Sequence, residues 1–211
     1  TMAALNVNDH IDLAIAHSQK VQIHTHGGIR NTEWWTDLAA KLQGVEHDVW
    51  FTLDGLKGVH EIYRQGTDFD KTVSNARAFI AAGGYATWQF IPWAHNEHQI
   101  KDCIKLSQDL GFKKFKLVRD IRQGFSARHY QTGQPLEFKP WSGDSITKNK
   151  YQFDKKKINV QRSSCHHLTR SSLYVNANGK LSHCCYFNFD RMYDSCESIE
   201  DIQTELDKQP H

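Results

Sequence analysis

The stretch of sequence that decides the fold is Val21-Gln-Ile-His-Thr-His-Gly-Gly-Ile-Arg-Asn-Thr-Glu-Trp-Trp-Thr-Asp-Leu-Ala-Ala-Lys-Leu42. Its first part alternates apolar and polar side chains, which predicts a short strand that ends at the Gly27-Gly28 pair. Asn31 is a favourable N-cap residue, and the residues that follow it predict a helix as far as position 42. The stretch therefore predicts the first half of a β-α-β unit.

The same rhythm of strand and helix extends in both directions from this stretch. Further strands are predicted over 47–55, 85–91 and 112–118, and further helices over 5–18, 70–82 and 97–110. Strands that alternate with helices of more than about ten residues are typical of a mostly parallel sheet. The expected fold class is therefore α/β.

The character of the sequence changes after residue 118. Residues 119–164 contain several Gly and Pro residues, lack a sustained period and predict a linker or extended arm. The basic run over 148–157 is flanked by acids, which favours a solvated segment over a nucleic-acid surface. Beyond the arm, residues 173–182 predict a hairpin around Asn176-Ala-Asn-Gly179, and residues 198–206 predict a helix.

Composition narrows the possible partners and the expected location. The 211 residues carry a formal net charge of +2 and 24% charged residues, which is ordinary for a soluble surface and indicates neither a nucleic-acid nor a membrane partner. No apolar run approaches the ~18–20 residues needed to span a bilayer, and the first residues lack the features of a secretory signal. We therefore expect a cytoplasmic location.

Cysteine usage indicates a thiolate site near the end of the chain. Four of the five cysteines lie there: Cys165, Cys184, Cys185 and Cys196. An odd total, with Cys103 alone in a predicted helix, argues against a full disulfide framework. Thiolates select iron–sulfur clusters or Zn²⁺. Adjacent cysteines on an extended segment point apart, so Cys185 is either a fourth ligand after a local turn or a bystander. A histidine, an exogenous ligand or a further cysteine could instead fill the fourth position, and unligated buried thiols remain an alternative.

Polar residues followed by Gly or Pro recur where the predicted strands end. The three sites are His24-Thr-His-Gly-Gly28, Thr52-Leu-Asp-Gly55 and Gln89-Phe-Ile-Pro-Trp93. Ligands of parallel sheets gather at the carboxyl ends of the strands. These three sites therefore predict one shared ligand-binding mouth.

Five short segments and Asn75, all between residues 23 and 84, carry a family resemblance. They are Ile23-His-Thr-His-Gly-Gly28, Phe51-Thr-Leu-Asp-Gly-Leu56, His60-Glu-Ile-Tyr-Arg64, Gly66-Thr-Asp-Phe-Asp-Lys71, Asn75 and Ala78-Phe-Ile-Ala-Ala-Gly-Gly84. In this order they resemble the middle and later part of radical S-adenosylmethionine enzymes. The resemblance implies a partial (β/α) barrel in which Thr52 and Asp54 lie near the ribose of S-adenosylmethionine. Arg64 would reach the carboxylate of that cofactor, and Gln89 would present a polar edge to the same cavity.

The end of the chain resembles the SPASM/twitch extension of the same superfamily. Cys165 is followed by Leu173-Tyr-Val-Asn-Ala-Asn-Gly-Lys-Leu-Ser-His-Cys184, in which four residues separate Gly179 from Cys184. The resemblance implies an auxiliary iron–sulfur cluster of the 4Fe–4S type, radical chemistry and a peptide or protein substrate. We accordingly expect a partial barrel over 1–118, an arm over 119–164 and a small cysteine-bearing extension over 165–211.

One element of the superfamily pattern is missing from this chain. Its initiating cluster is held on a Cys-x-x-x-Cys-x-x-Cys loop, and that spacing occurs nowhere in the sequence. The opening residues also resemble an interior position of the family. We therefore expect a fragment, a short relative that has lost the chemistry, or one half of a split enzyme that is inactive without an N-terminal segment or partner chain.

Two other classes of function remain open from the sequence. His24 and His26 form an H-x-H pattern at a strand end, as in metal-dependent hydrolases, for which Asp54, His95 and His98 are the available further ligands. A non-catalytic binding module that keeps the fold without radical initiation is the second alternative.

Overall fold

The computed structural model describes residues 6–18, 20–120, 124–143, 174–175 and 181–182. Its helices are α1 (Val7–His17), α2 (Thr32–Lys41), α3 (His60–Tyr63), α4 (Phe69–Ala81) and α5 (Ile100–Asp109), with a 3-10 turn at Glu97–Gln99. Its strands are β1 (Lys20–Thr25), β2 (Glu46–Thr52), β3 (Ala86–Phe90), β4 (Lys114–Leu117), β5 (Phe125–Arg128), β6 (Pro135–Phe138), β7 (Tyr174–Val175) and β8 (Leu181–Ser182).

The central feature is a four-stranded sheet in the order β1-β2-β3-β4, in which every neighbouring pair is parallel. Strand order equals chain order, so successive right-handed crossovers place their helices on the same face. This arrangement confirms the predicted α/β class with a parallel sheet and is that of a partial β/α fold. The strands of the described residues do not close into a barrel.

The hydrophobic core lies between the helices and one face of this sheet. Trp35 of α2 and Phe79 of α4 pack on Phe51 of β2, with ring centroids 5.0 and 6.0 Å away. Phe112 packs on Trp88 of β3 at 5.3 Å, and all of these rings are buried. Aromatic side chains of this size contribute most of the apolar area that holds helices on a sheet. We call this the helix face.

The opposite side of the sheet carries mostly polar side chains, and we call it the polar face. Alternation and strand register assign it these residues: Gln22, His24, Asp48, Trp50, Thr52, Thr87, Gln89, Lys114 and Lys116. Its members on the outer strands β1 and β4 are exposed, whereas Asp48, Thr52 and Thr87 of the inner strands are buried. Small buried polar groups flanked by exposed amides and lysines distinguish this surface from the apolar helix face.

An antiparallel hairpin formed by β5 and β6 lies within the segment for which the sequence predicted only a linker or extended arm. Its aromatic residues Phe125 and Phe138 pack on Trp93, with centroids 5.5 and 5.9 Å away, and Tyr63 lies 5.3 Å from Phe138. The strands were missed because the segment contains several Gly and Pro residues, and because the hairpin packs on Tyr63 and Trp93, which lie far from it in the chain. The boundaries of the arm remain a prediction.

The predicted C-terminal hairpin is confirmed at its two strands. Tyr174 pairs with Ser182 and Val175 pairs with Leu181 in antiparallel register. The chain forms two compact units, residues 14–152 and residues 1–13 with 153–211. Across the residues described, none of the helices has the length and apolar character needed to cross a membrane.

Gly27 provides a test of how tightly the first strand end is packed. Its φ is +76°, and a Cβ there would lie 2.7 Å from Cδ1 of Phe51, whereas Gly44 has φ +84° and no atom within 4 Å of such a Cβ. Both Ala substitutions carry the left-handed backbone cost, of about 1 kcal/mol. We expect Gly27→Ala to lower the free energy of unfolding by about 1–3 kcal/mol more than Gly44→Ala, because only Gly27→Ala overpacks the core. Urea denaturation measures both, and equal losses would contradict this account.

Candidate functional site

The carboxyl edge of the sheet is organised around Asp54, which follows β2 and has no exposed surface. Its Oδ1 accepts a hydrogen bond of 2.6 Å from the N–H of Ile91, and its Oδ2 accepts one of 2.6 Å from Nε of Arg64. Its own N–H donates to Nδ1 of His60 at 3.1 Å, and its carbonyl accepts from Nδ2 of Asn96 at 3.0 Å. Burial raises the pKa of the Asp54 carboxyl, and Arg64 and the Ile91 N–H oppose that shift.

The His60 side chain is a buried, neutral ring that is hydrogen-bonded to the main chain of Asp54. Because Nδ1 accepts from Asp54, the proton is assigned to Nε2, which lies 3.0 Å from Oγ1 of Thr67. The Thr67 hydroxyl in turn donates to the carbonyl of Arg64 at 2.6 Å. Burial lowers the pKa of His60 to about 4. The ring therefore ties the segment that bears Arg64 to the end of β2.

Arg64 combines a fixed position with unused hydrogen-bond donors. Its Nε is bound to Asp54, and its Cζ lies 4.9 Å from the ring centroid of Tyr63. Among the described residues its Nη atoms have no hydrogen-bond partner, and its side chain is 25% exposed. A guanidinium whose two terminal amino groups are available suits a planar, bidentate anion such as a carboxylate.

The loop after β1 is fastened to α4 by side-chain hydrogen bonds. Thr72 Oγ1 donates to the carbonyl of His26 at 3.1 Å, and Asn75 Nδ2 donates to the carbonyls of Gly27 at 2.7 Å and Arg30 at 2.8 Å. Nδ1 of His26 accepts from the N–H of Gly28 at 3.2 Å, so its proton is assigned to Nε2. Burial, Arg64 and Lys71 all lower the pKa of His26. The loop thus adds a neutral N–H donor to an edge that already carries positive charge.

The predicted cofactor-binding residues lie at this edge of the sheet, but they differ in how many hydrogen-bonding groups remain free for a ligand. Thr52 and Gln89 are register partners on β2 and β3. The Thr52 hydroxyl is buried and donates to the carbonyl of Thr25 at 3.1 Å, while both Asp54 oxygens already accept hydrogen bonds. Gln89 Oε1 lies 3.3 Å from His24 Nδ1. Arg64 is therefore the predicted residue with the most unused donors.

Several residues that shape this edge had no role in the sequence analysis. Tyr63 carries the Arg64 guanidinium, His60 binds the Asp54 main chain, and Asn96 joins the loops after β2 and β3. Asn96 lies 42 positions from Asp54 along the chain, a separation that no periodic pattern reveals. The signal available was a polar residue at the end of a predicted strand, and it identified Asp54 but none of these three residues.

The H-x-H pattern does not become a metal site in the described part of the chain. His24 Nε2 lies 2.9 Å from Gln22 Nε2 and His24 Nδ1 faces Gln89, so both ring nitrogens are engaged. His26 lies beyond the end of β1. Within the described ranges, no group of three or more His, Cys, Asp or Glu side chains could hold a metal ion. The hydrolase alternative therefore gains no support from these residues.

The four predicted cluster ligands, Cys165, Cys184, Cys185 and Cys196, lie outside the described residues. Cys103 is described, and it is buried in α5. Burial raises the pKa of its thiol to about 12, which keeps it protonated at neutral pH. Among the described residues, Cys103 belongs to no group of side chains that could hold a metal ion.

Neither a protein-family profile nor a curated protein matches this chain. Solved structures that overlap part of it include native anSMEcpe with bound AdoMet, at 14% identity and a TM-score of 0.40, covering 54% of this chain and 31% of that one. Native anSMEcpe with bound AdoMet and Cp18Cys peptide overlaps at 14% identity and a TM-score of 0.46, covering 64% of this chain and 39% of that one. The chain thus spans less than two fifths of these proteins, and a likeness of this size assigns neither family nor function.

His60 predicts a pH dependence of stability. Its folded pKa of about 4 lies below the usual 6.5, so its contribution is fully present above pH 6.5 and is lost as the pH falls toward 4. Between pH 7 and pH 4.5 this loss is about 2–3 kcal/mol. We expect His60→Asn, which keeps an acceptor for Asp54, to flatten this part of the profile in urea unfolding experiments. An unchanged pH slope in the variant would contradict the assignment.

Proposed function

We propose that this chain is part of a radical S-adenosylmethionine enzyme that acts on a peptide or protein substrate. In this proposal the carboxyl edge of the four-stranded sheet holds the methionine carboxylate of S-adenosylmethionine, and the C-terminal cysteines hold an auxiliary iron–sulfur cluster. The observation that carries the proposal is the hydrogen bonding of Arg64. Its Nε is bound to Asp54, and its terminal amino groups have no hydrogen-bond partner among the described residues. When bound beside a reduced initiating cluster, the cofactor supplies a 5′-deoxyadenosyl radical that abstracts a substrate hydrogen.

The chemistry of Arg64 matches that of the methionine carboxylate. A carboxylate is a planar acceptor, and two parallel N–H donors of a guanidinium bind it with defined geometry. The ion pair with Asp54 and the stacking on Tyr63 hold the guanidinium in one orientation before any ligand arrives. Such preorganisation reduces the entropy lost on binding. His26, with its Nε2 proton on the same edge, is a further neutral donor.

Asp54 has a different part in this arrangement from the ribose contact that the resemblance implied. Both of its oxygens accept hydrogen bonds from protein groups, so it acts on a ligand through Arg64. Thr52 likewise uses its hydroxyl proton within the sheet. Gln89 keeps an amide nitrogen for a polar ligand edge, because its contact with His24 uses only Oε1.

The auxiliary cluster rests on the sequence. Cys165, Cys184 and Cys196 are the preferred ligands, with Cys185 as the fourth candidate, and Zn²⁺ in a site with three thiolates is the alternative occupant. The sequence contains no Cys-x-x-x-Cys-x-x-Cys, so radical initiation by this chain requires cysteines that it does not contain.

Binding of S-adenosylmethionine to the full chain tests the role of Arg64. We expect Arg64→Ala to weaken binding about tenfold or more, because a charge-assisted bidentate pair is lost. Methylthioadenosine lacks the amino acid carboxylate, so its affinity should change little in the same variant. Equilibrium dialysis with both compounds measures the difference directly.

Arg77 provides the matched control, since it is an exposed cation on α4. Arg77→Ala should bind both compounds as the unsubstituted chain does. Equal weakening of both compounds in Arg64→Ala would point to a general loss of structure, and unchanged affinity for S-adenosylmethionine would refute the carboxylate contact. An unsubstituted chain that binds neither compound would favour the non-catalytic module.

Anaerobic reconstitution with iron and sulfide tests the auxiliary cluster. We expect an iron-type absorption band that Cys184→Ala weakens strongly and Cys103→Ala leaves unchanged, because Cys103 is buried in α5 and belongs to no group of potential metal ligands among the described residues. Metal analysis of the same samples should give iron. If the analysis gives one zinc and no iron, the site binds Zn²⁺ and not an iron–sulfur cluster.

A further inference from the structure

The polar face carries an unusual group of side chains around Trp50. The His24 ring lies 4.7 Å from the Trp50 ring, and Nζ of Lys116 lies 4.7 Å from the Trp50 centroid. Nε1 of Trp50 is buried and has no hydrogen-bond partner among the described residues. Buried indole N–H groups normally find an acceptor, so an unpaired one marks a place where a polar partner is missing.

Charge on this face is unbalanced toward the positive. Lys20 pairs with Glu46 at the start of β1 and β2. Asp48 accepts from Thr87 at 2.7 Å and lies 4.0 Å from Nζ of Lys114, so its charge is also offset. Lys116 contacts the Trp50 ring and has no carboxylate partner among the described residues. One lysine therefore remains available for an anion beside the unpaired indole.

The neutral groups nearby also offer donors rather than acceptors. Gln22 Nε2 can only donate to Nε2 of His24, so His24 carries its proton on Nδ1 and donates it to Oε1 of Gln89. Burial lowers the pKa of His24, which keeps the ring neutral and this pattern intact at pH 7. The amide nitrogen of Gln89 is left with its two N–H groups. The surroundings of Trp50 thus combine a cation with amide donors, next to an indole N–H that is itself buried.

We propose that the polar face, at Trp50 and Lys116, binds a carboxylate side chain of an acidic peptide segment. A carboxylate is an acceptor without a proton to donate, which complements the donors assembled there. The ammonium of Lys116 is held in place over the Trp50 ring before the ligand binds. An extended peptide suits the site because β4, which carries Lys116, is the last strand of the four-stranded sheet and pairs only with β3 among the described strands.

This site goes beyond the proposed function, since binding of the acidic segment needs neither S-adenosylmethionine nor a cluster. The test is therefore made on the full chain without any cofactor, so that a failure of cofactor binding leaves its result unaffected.

NMR of the indole N–H groups provides the measurement, with the Trp50 signal assigned by its loss in Trp50→Phe. The probes are two capped pentapeptides, one with a central Glu between glycines and one with Gln at that position. We expect the Glu peptide to shift the Trp50 signal. The Gln peptide should bind with about three- to tenfold lower affinity. Lys116→Met should weaken binding of the Glu peptide by a similar factor. Lys105 is an exposed lysine of α5, and Lys105→Met should leave the affinity for this peptide unchanged.

Three results would overturn the proposal. Equal shifts with the two peptides would show that the carboxylate is not recognised. A response to free glutarate without a response to the Glu peptide would make this a small-anion site closed to peptides. If the Trp50 signal does not shift at any concentration of the Glu peptide, the polar face is covered or does not bind the peptide.

Discussion

The buried carboxylate of Asp54 is the constraint on which the carboxyl edge of the sheet depends. A charge without solvent contact is tolerated only when it is paired and fully hydrogen-bonded. Here Arg64 and the N–H of Ile91 supply those bonds to the carboxylate, while His60 and Asn96 bind the main chain of the same residue. One residue thereby locks the loops after β2 and β3 to the short helix α3. The orientation of Arg64 is a consequence of that requirement.

The two faces of the sheet divide structural and chemical roles. Because the strands follow one another in chain order, the crossover helices lie on one side and bury the aromatic core there. The other side needs no apolar side chains, so amides, lysines and small hydroxyl residues occupy it. Trp50 is the exception, and its ring provides a support for Lys116. A sheet with this division presents a polar surface next to the carboxyl edge of its strands.

Whether the sequence predicted a feature of this structure depends on how far apart in the chain the interacting residues lie. The parallel strands and their helices were predicted because each pattern is formed by residues that are close together in the chain. The short helix His60–Tyr63 and the hairpin formed by Phe125–Arg128 and Pro135–Phe138 were missed, since their stability comes from the cluster around Trp93. At the site, Asp54 and Arg64 were both identified, but as two separate cofactor contacts, and their ion pair was not predicted.

The sequence by itself determined the α/β class, the alternation of strands and helices along the chain and the presence of polar residues where those strands end. Periodicity and turn residues encode these features within a few positions of one another. Only the tertiary structure decided that Asp54 would be buried, that its carboxylate would bind Nε of Arg64, and that the terminal amino groups of Arg64 would have no hydrogen-bond partner among the described residues. Burial is set by residues far apart in the chain, and it is burial that turns a polar residue after a strand into a fixed, charged partner.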